Sequence, residues 1–123
     1  MKKIKSFEDA CKALNISTQI PEFQVESGAS TFYQIEIITR ALNGNWKADW
    51  NDSNQYKYFP WFAFRGGRLV FADVLCACSN ADLGSRLCYK DEETAEYAGK
   101  QFIKLYQKML HPGDTEEDYS DLL

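Results

Sequence analysis

Four cysteines and one histidine are the thiol and imidazole groups that could ligate zinc or act as nucleophile and base: Cys11, Cys76, Cys78, Cys88 and His111. Cys76-Ala77-Cys78 is a C-x-C, and on a strand the period of two would put both thiols on one face. Zinc sites use C-x2-4-C pairs and a second pair of similar spacing. No second pair is present, and a single histidine cannot replace it. The spacing predicts no metal and no cofactor, with the thiols acting as small buried hydrophobes in a reducing compartment. His111 could act as a base toward a cysteine, but a helix end, where the dipole favours it, is the plainer place. The run Asp49-Trp50-Asn51-Asp52-Ser53-Asn54 gathers oxygen donors that could ligate calcium. It lacks the glycine and closing glutamate of an EF-hand loop, so a turn of Asx hydrogen bonds is expected. Gly84-Ser85-Arg86 could hold an anion on backbone N–H groups with Arg86 adding charge, and a bulged strand entry explains it equally well. There is no glycine-rich phosphate loop. The expectation is a protein that is not an enzyme.

The second concentration of chemistry is aromatic. Asn45 to Gly67, NWKADWNDSNQYKYFPWFAFRGG, holds Trp46, Trp50, Tyr56, Tyr58, Phe59, Trp61, Phe62 and Phe64, eight of the eighteen aromatics. Rings this large are buried in a core, set against a partner or covered by a ligand. With Arg65 and Arg68 beside them they form the candidate binding surface: Trp46, Trp50, Tyr56, Tyr58, Phe59, Trp61, Phe62, Arg65 and Arg68. Trp, Tyr and Arg dominate protein hot spots. Rings interleaved with cations, Lys47 and Lys57 included, also suit single-stranded nucleic acid. The third reading is a hairpin with both faces covered.

These side chains need positioning elements. Ser6 reads as an N-cap with Asp9 at the third helical position, and Phe7, Ala10, Cys11 and Leu14 form one face of a short helix ending at Asn15. Ile16 to Ala29 reads as a loop, with an extended piece at Glu22 to Val25. Ser30 to Asn43 has many β-branched residues, but Phe32, Ile35, Ile38 and Leu42 keep helical spacing and Asn43-Gly44 is a stop signal. It is read as a helix. Tyr56 to Phe64 is a strand with apolar groups on both faces, Pro60 implying an edge or a bulge. Gly66-Gly67 is a tight turn, Arg68 to Ser79 the returning strand, and Ser85 to Tyr89 a short third strand. In the returning strand Leu69, Phe71, Asp73, Leu75 and Ala77 would share one face. Asp91 caps a long helix to Leu110, with Ala95, Ala98, Phe102, Leu105 and Met109 as its core stripe, widened by Ile103, Tyr106 and Leu110. Gly99 inside it costs about 1 kcal/mol relative to alanine, which implies close approach to the sheet, onto an indole ring. The expected fold is α+β: a small three-stranded antiparallel sheet with helices packed on one face, in the order α-α-β-β-β-α.

The 123 residues suit one domain, 1–112, followed by an acidic, disordered tail, 113–123. Net charge is −4, yet five of the eighteen acids lie in that tail, so the body is near +1 and argues against strong phosphate binding. No apolar run approaches the ~20 residues of a membrane span. The N-terminus lacks an apolar core and carries Glu8 and Asp9 too early for a signal peptide, so a cytoplasmic protein is expected.

The runs ALNGNWKADWNDSNQYKYFPWF (Ala41 to Phe62) and GSRLCYKDEETAEYAGKQFIKLYQ (Gly84 to Gln107), together with SFEDACKALNI near the start, resemble an uncharacterised small protein family. Its members are encoded by prophages, phages and other mobile elements of Bacteroides and related gut bacteria. The resemblance carries over no catalytic residue. It implies a bacterial cytoplasm and an accessory role exercised by binding. The sequence thus points to a non-enzymatic interaction protein whose aromatic hairpin meets a protein partner, with single-stranded nucleic acid as the alternative.

Overall fold

A computed structural model describes residues 3–24, 28–81 and 83–111. The acidic tail, the Pro112-Gly113 stop and Val25 lie outside them. The described residues form an α+β fold, with four helices and a two-stranded antiparallel sheet.

Helix α1 (Phe7–Leu14) starts where the Ser6 hydroxyl accepts from the Asp9 N–H, and ends on Asn15, whose positive φ of 57° closes the last turn. Asp9 in turn accepts from the Lys5 N–H at 2.9 Å. Each end therefore finds partners for the backbone groups that a helix terminus leaves open. Helix α2 (Ala29–Asn43) buries Ile35, Ile38 and Leu42 along one stripe, so tertiary burial overrides its β-branched content. It packs along α1.

Strand β1 (Lys57–Arg65) turns through Gly66-Gly67 into β2 (Arg68–Ala77). Both glycines have positive φ, 61° and 79°, as a two-residue hairpin turn of matching twist requires. The register runs from Arg65 opposite Arg68 to Lys57 opposite Ala77, with one irregularity: Trp61 faces Asp73 and Phe62 faces Phe71, so Ala72 bulges. The bulge corrects the expected alternation of β2. Without it, Asp73 would share a face with Leu69 and Phe71 and carry a carboxylate into the core, at a high desolvation cost. With it, Val74 turns inward and Asp73 is exposed.

The expected third strand is not one. Ser85–Leu87 is a single 3-10 turn, and only Tyr89 pairs with β1, through reciprocal bonds with Tyr58 of 3.0 and 2.7 Å. Asn43 holds the other side of this rung: its amide donates to the Cys88 carbonyl and accepts from the Lys90 N–H, each at 3.0 Å. A helix side chain thus occupies the place of a further strand, and ladder growth stops there.

The expected helix from Asp91 to Leu110 is two. Asp91 accepts from the Thr94 N–H and caps α3 (Glu92–Gln101); Phe102, at φ −110°, ψ 28°, breaks the run before α4 (Ile103–Leu110). The bend lets α3 lie on the hairpin while α4 reaches both β2 and α2. It also turns the stripe: Phe102, Ile103 and Tyr106 are buried, but Leu110 is exposed. The order is therefore α-α-β-β-α-α.

The core joins Phe7, Cys11, Ile35, Ile38, Leu69, Tyr89, Ala98 and Tyr106, which sets the helices against the Tyr58, Phe62 and Val74 face of the hairpin. At its centre the Thr39, Tyr89 and Tyr106 hydroxyls form a chain, 2.9 and 2.8 Å apart, that ends on the Ile35 carbonyl. Burial pushes the Tyr89 phenol up to about 12 and Tyr106 well above its ordinary range, so both are neutral donors.

Candidate functional site

The strand alternation divides the aromatic block. Pro60, Phe62 and Phe71 face the helices: a Cβ on Gly99 would stand 2.7 Å from both Pro60 Cβ and the Phe71 ring, and Phe62 lies 4.7 Å from Tyr106. Gly99 therefore makes the close approach that its position implies, onto proline and phenylalanine instead of an indole. Tyr58 joins the same face, and its edge is occupied by Tyr89. Phe59 and Trp61 stand on the opposite face with Leu75 and Asp73.

Trp46 and Trp50 belong to a separate structure. Asp49 accepts from the Asn51 N–H, Asp52 from the Asn54 N–H, and the Gln55 amide accepts from Asp49 N and donates to Lys47 O. These are the expected Asx turns. At their centre is the Lys57 ammonium, fully buried, donating to the carbonyls of Asp49, Asp52 and Cys78 at 2.6, 3.1 and 2.7 Å. It lies 4.9 Å from the Trp50 ring centre. Lys57 is thus withdrawn from the cations expected to meet a phosphate; it fastens the loop to the sheet.

Two clefts result. The first, about 550 Å³, is lined by Phe59, Trp61 and Leu75 from the outer face of the hairpin, by Phe62 and Phe64 from its helix-facing side, and by Leu83, Leu87, Tyr106, Met109 and Leu110. Among the described residues eight large apolar side chains are exposed, and five of them line this groove: Trp61, Phe64, Leu75, Leu83 and Leu110. No charged side chain is part of its lining. The second cleft, about 670 Å³, sets Trp46 and Trp50 beside Arg40, Lys47 and Arg86. Arg40 and Arg86 converge there on Glu36 at 3.7 and 3.4 Å, which occupies the charge assigned to an anion. Arg65 is exposed at the hairpin tip, opposite the half-buried Arg68, and Tyr56 is exposed beside Tyr58.

The candidate chemistry of the thiols does not assemble. The His111 ring packs on Phe64, whereas Cys76 is paired with Tyr58 six residues along β1, about 20 Å away by strand rise. Burial pushes the Cys11 and Cys88 thiols up, away from thiolate reactivity. Among the described residues no group of three His, Cys, Asp or Glu side chains could hold a metal ion, and no helix is long and apolar enough to cross a membrane.

Sequence reasoning missed Leu75, Leu83, Met109 and Leu110 as groove residues. Leu75 follows from the hairpin register only once the Ala72 bulge is known. Leu110 follows only from the bend at Phe102. Leu83 carried one usable signal, a leucine in a polar loop. Comparison with family models, with curated proteins and with solved structures finds no match for this chain.

Proposed function

We propose that this protein is a non-enzymatic interaction protein that binds a protein partner in the groove formed by Trp61, Phe64, Leu75, Leu83 and Leu110. One observation carries the reading: among the described residues, five of the eight exposed large apolar side chains gather in one uncharged groove. Scattered surface apolars need no explanation, but a contiguous patch marks an interface. The resemblance to the mobile-element family of Bacteroides supports a bacterial cytoplasmic setting, in which host or phage proteins are the partners met. A photoreactive residue at Trp61 in Bacteroides cells should yield a discrete adduct that the same residue at exposed Lys12 does not. Identical patterns from the two positions would reject the groove.

The Trp46 and Trp50 cleft favours a second reading, single-stranded nucleic acid, since rings for base stacking stand beside Lys47 and beside Arg40 and Arg86, which a phosphate would have to share with Glu36. Anisotropy of labelled oligothymidine separates the two. Binding that falls steeply between about 50 and about 300 mM salt supports nucleic acid; no binding at the lower salt leaves the protein groove.

A further inference from the structure

The two outer edges of the hairpin are treated differently. In an antiparallel pair, alternate residues point their N–H and C=O groups away from the partner strand. Tyr58 bonds outward to Tyr89, so Tyr58, Pro60, Phe62 and Phe64 form the outward series of β1. On β2 the corresponding outward N–H of Leu69 is capped by the Gln107 amide at 2.8 Å. On β1 the Tyr58 position is filled by Tyr89, and Pro60 has no N–H to satisfy. By the same alternation the N–H and C=O groups of Phe62 and Phe64 point away from β2, and no loop, cap or side-chain hydrogen bond reaches them among the described residues. Side chains of both β1 faces line the 550 Å³ groove, together with the segment that leads to Tyr89. The groove therefore follows this open edge.

Resting on the reading of the groove as a protein-binding site, we propose that its occupant is an extended, uncharged apolar peptide segment of a partner protein, added to β1 as a third strand from Pro60 to Phe64. Main-chain bonds to Phe62 and Phe64 would supply affinity, and the two apolar flanks would select side chains. Both faces of β1 are apolar along the groove, Phe59 and Trp61 on one and Phe62 and Phe64 on the other, with Met109 and Leu110 adding to the lining, so the segment reads as a continuous apolar run. Five residues span about 17 Å of strand. The unpaired edge distinguishes a peptide from a hydrocarbon ligand, which could fill the groove but would leave these amides unbonded. It also disfavours a second copy. That copy's edge is equally recessed between its own flanks, and antiparallel pairing about Phe62 would set each Pro60, without an N–H, against the other chain's Phe64 carbonyl.

The test uses linear dodecapeptides selected from a phage-displayed library on the full chain. Selected peptides should be apolar and should slow amide exchange at Phe62 and Phe64. N-methylation of the peptide should weaken binding about tenfold or more at alternate residues and little between them, as the loss of one bond each requires. Phe64→Pro removes an outward N–H and should lower affinity by a similar factor; the N-methyl series keeps the test sound if that variant fails to fold. Unchanged exchange at Phe62 and Phe64, or N-methyl losses without alternation, overturns strand addition. If the free protein dimerises and protects Phe62 and Phe64 by itself, the occupant is a second copy and the proposal fails. A Trp61 adduct in cells with no peptide bound at the edge would leave the interaction reading standing and remove this one.

Discussion

Gly99 of α3 stands where a side chain would meet Phe71: its Cβ would fall 2.7 Å from the ring and at the same distance from Pro60 Cβ. The missing atom sets how closely α3 lies on the hairpin. Alanine would recover about 1 kcal/mol of helix propensity, but overpacking typically costs about 1–3 kcal/mol, and the proline ring cannot move aside. Gly99→Ala should therefore lower stability by about 1 kcal/mol net and Gly99→Leu by much more, read as urea midpoints. Adding Phe71→Ala should recover part of the Gly99→Ala loss. Strict additivity in that cycle, or an unchanged midpoint for Gly99→Leu, would remove the contact.

Lys57 ties three carbonyls from two segments into one point beneath Trp50. Hydrogen bonds to a charged group are worth about 1.5–3 kcal/mol each, and unmet carbonyls add to the loss. Lys57→Met keeps the stem and removes the ammonium, so it should destabilise the fold by at least about 3 kcal/mol. In a variant retaining Trp50 as its sole tryptophan, acrylamide quenching should rise when Lys57 is replaced. Equal quenching would mean that the loop is held by its Asx turns alone.

Those Asx turns were legible in the sequence because they are local: Asp49 and Asp52 bond residues two positions away. The same holds for the caps at Ser6, Asn15 and Asp91 and for the Gly66-Gly67 turn. Gly99 was legible because a glycine in a helix interior needs an offsetting contact. What the sequence did not disclose depends on pairing at a distance. The Ala72 bulge is visible only against β1, although an acid at Asp73 between core residues hints at it. The third strand was overestimated because Asn43, forty-five residues away from Cys88, supplies the bonds of a neighbouring strand. The groove depends on that bulge and on the bend at Phe102, so of its exposed side chains only the aromatic ones stood out.

Asn43 fills the place of a strand with one amide, giving to Cys88 O and taking from Lys90 N. Asn43→Asp keeps the acceptor but sets a carboxylate against a carbonyl; Asn43→Leu leaves both backbone groups unmet. Each should cost about 2–4 kcal/mol. The Lys90 amide should exchange faster in the leucine variant than in the aspartate variant, where its acceptor remains. Equal Lys90 exchange in the two would show that the segment is held by the Tyr58 bonds alone.

The buried hydroxyl chain weakens the fold at alkaline pH. Tyr89 has its phenol raised to about 12 by burial, and burial beside Tyr89 raises Tyr106 in the same direction. Below the ordinary phenol value near 10 both folded and unfolded chains hold these protons, and the contribution is fully present. As pH climbs past 10 the unfolded chain loses protons that the folded chain keeps, so stability falls until the folded Tyr89 titrates near 12. For Tyr89 alone the loss is about 3 kcal/mol. Tyr106→Phe removes one of these two phenols and one hydroxyl bond. It should cost about 1 kcal/mol at neutral pH and make the decline above pH 10 shallower, the rest of the decline belonging to Tyr89 and to Tyr58, Tyr97, Cys11 and Cys88, which burial also raises. Tyr56→Phe, at an exposed ring, should leave the profile as it is. Urea midpoints from about pH 8 to about 11.5 read all three chains; a wild-type profile flat across that window would mean that these phenols are not shielded as the structure places them.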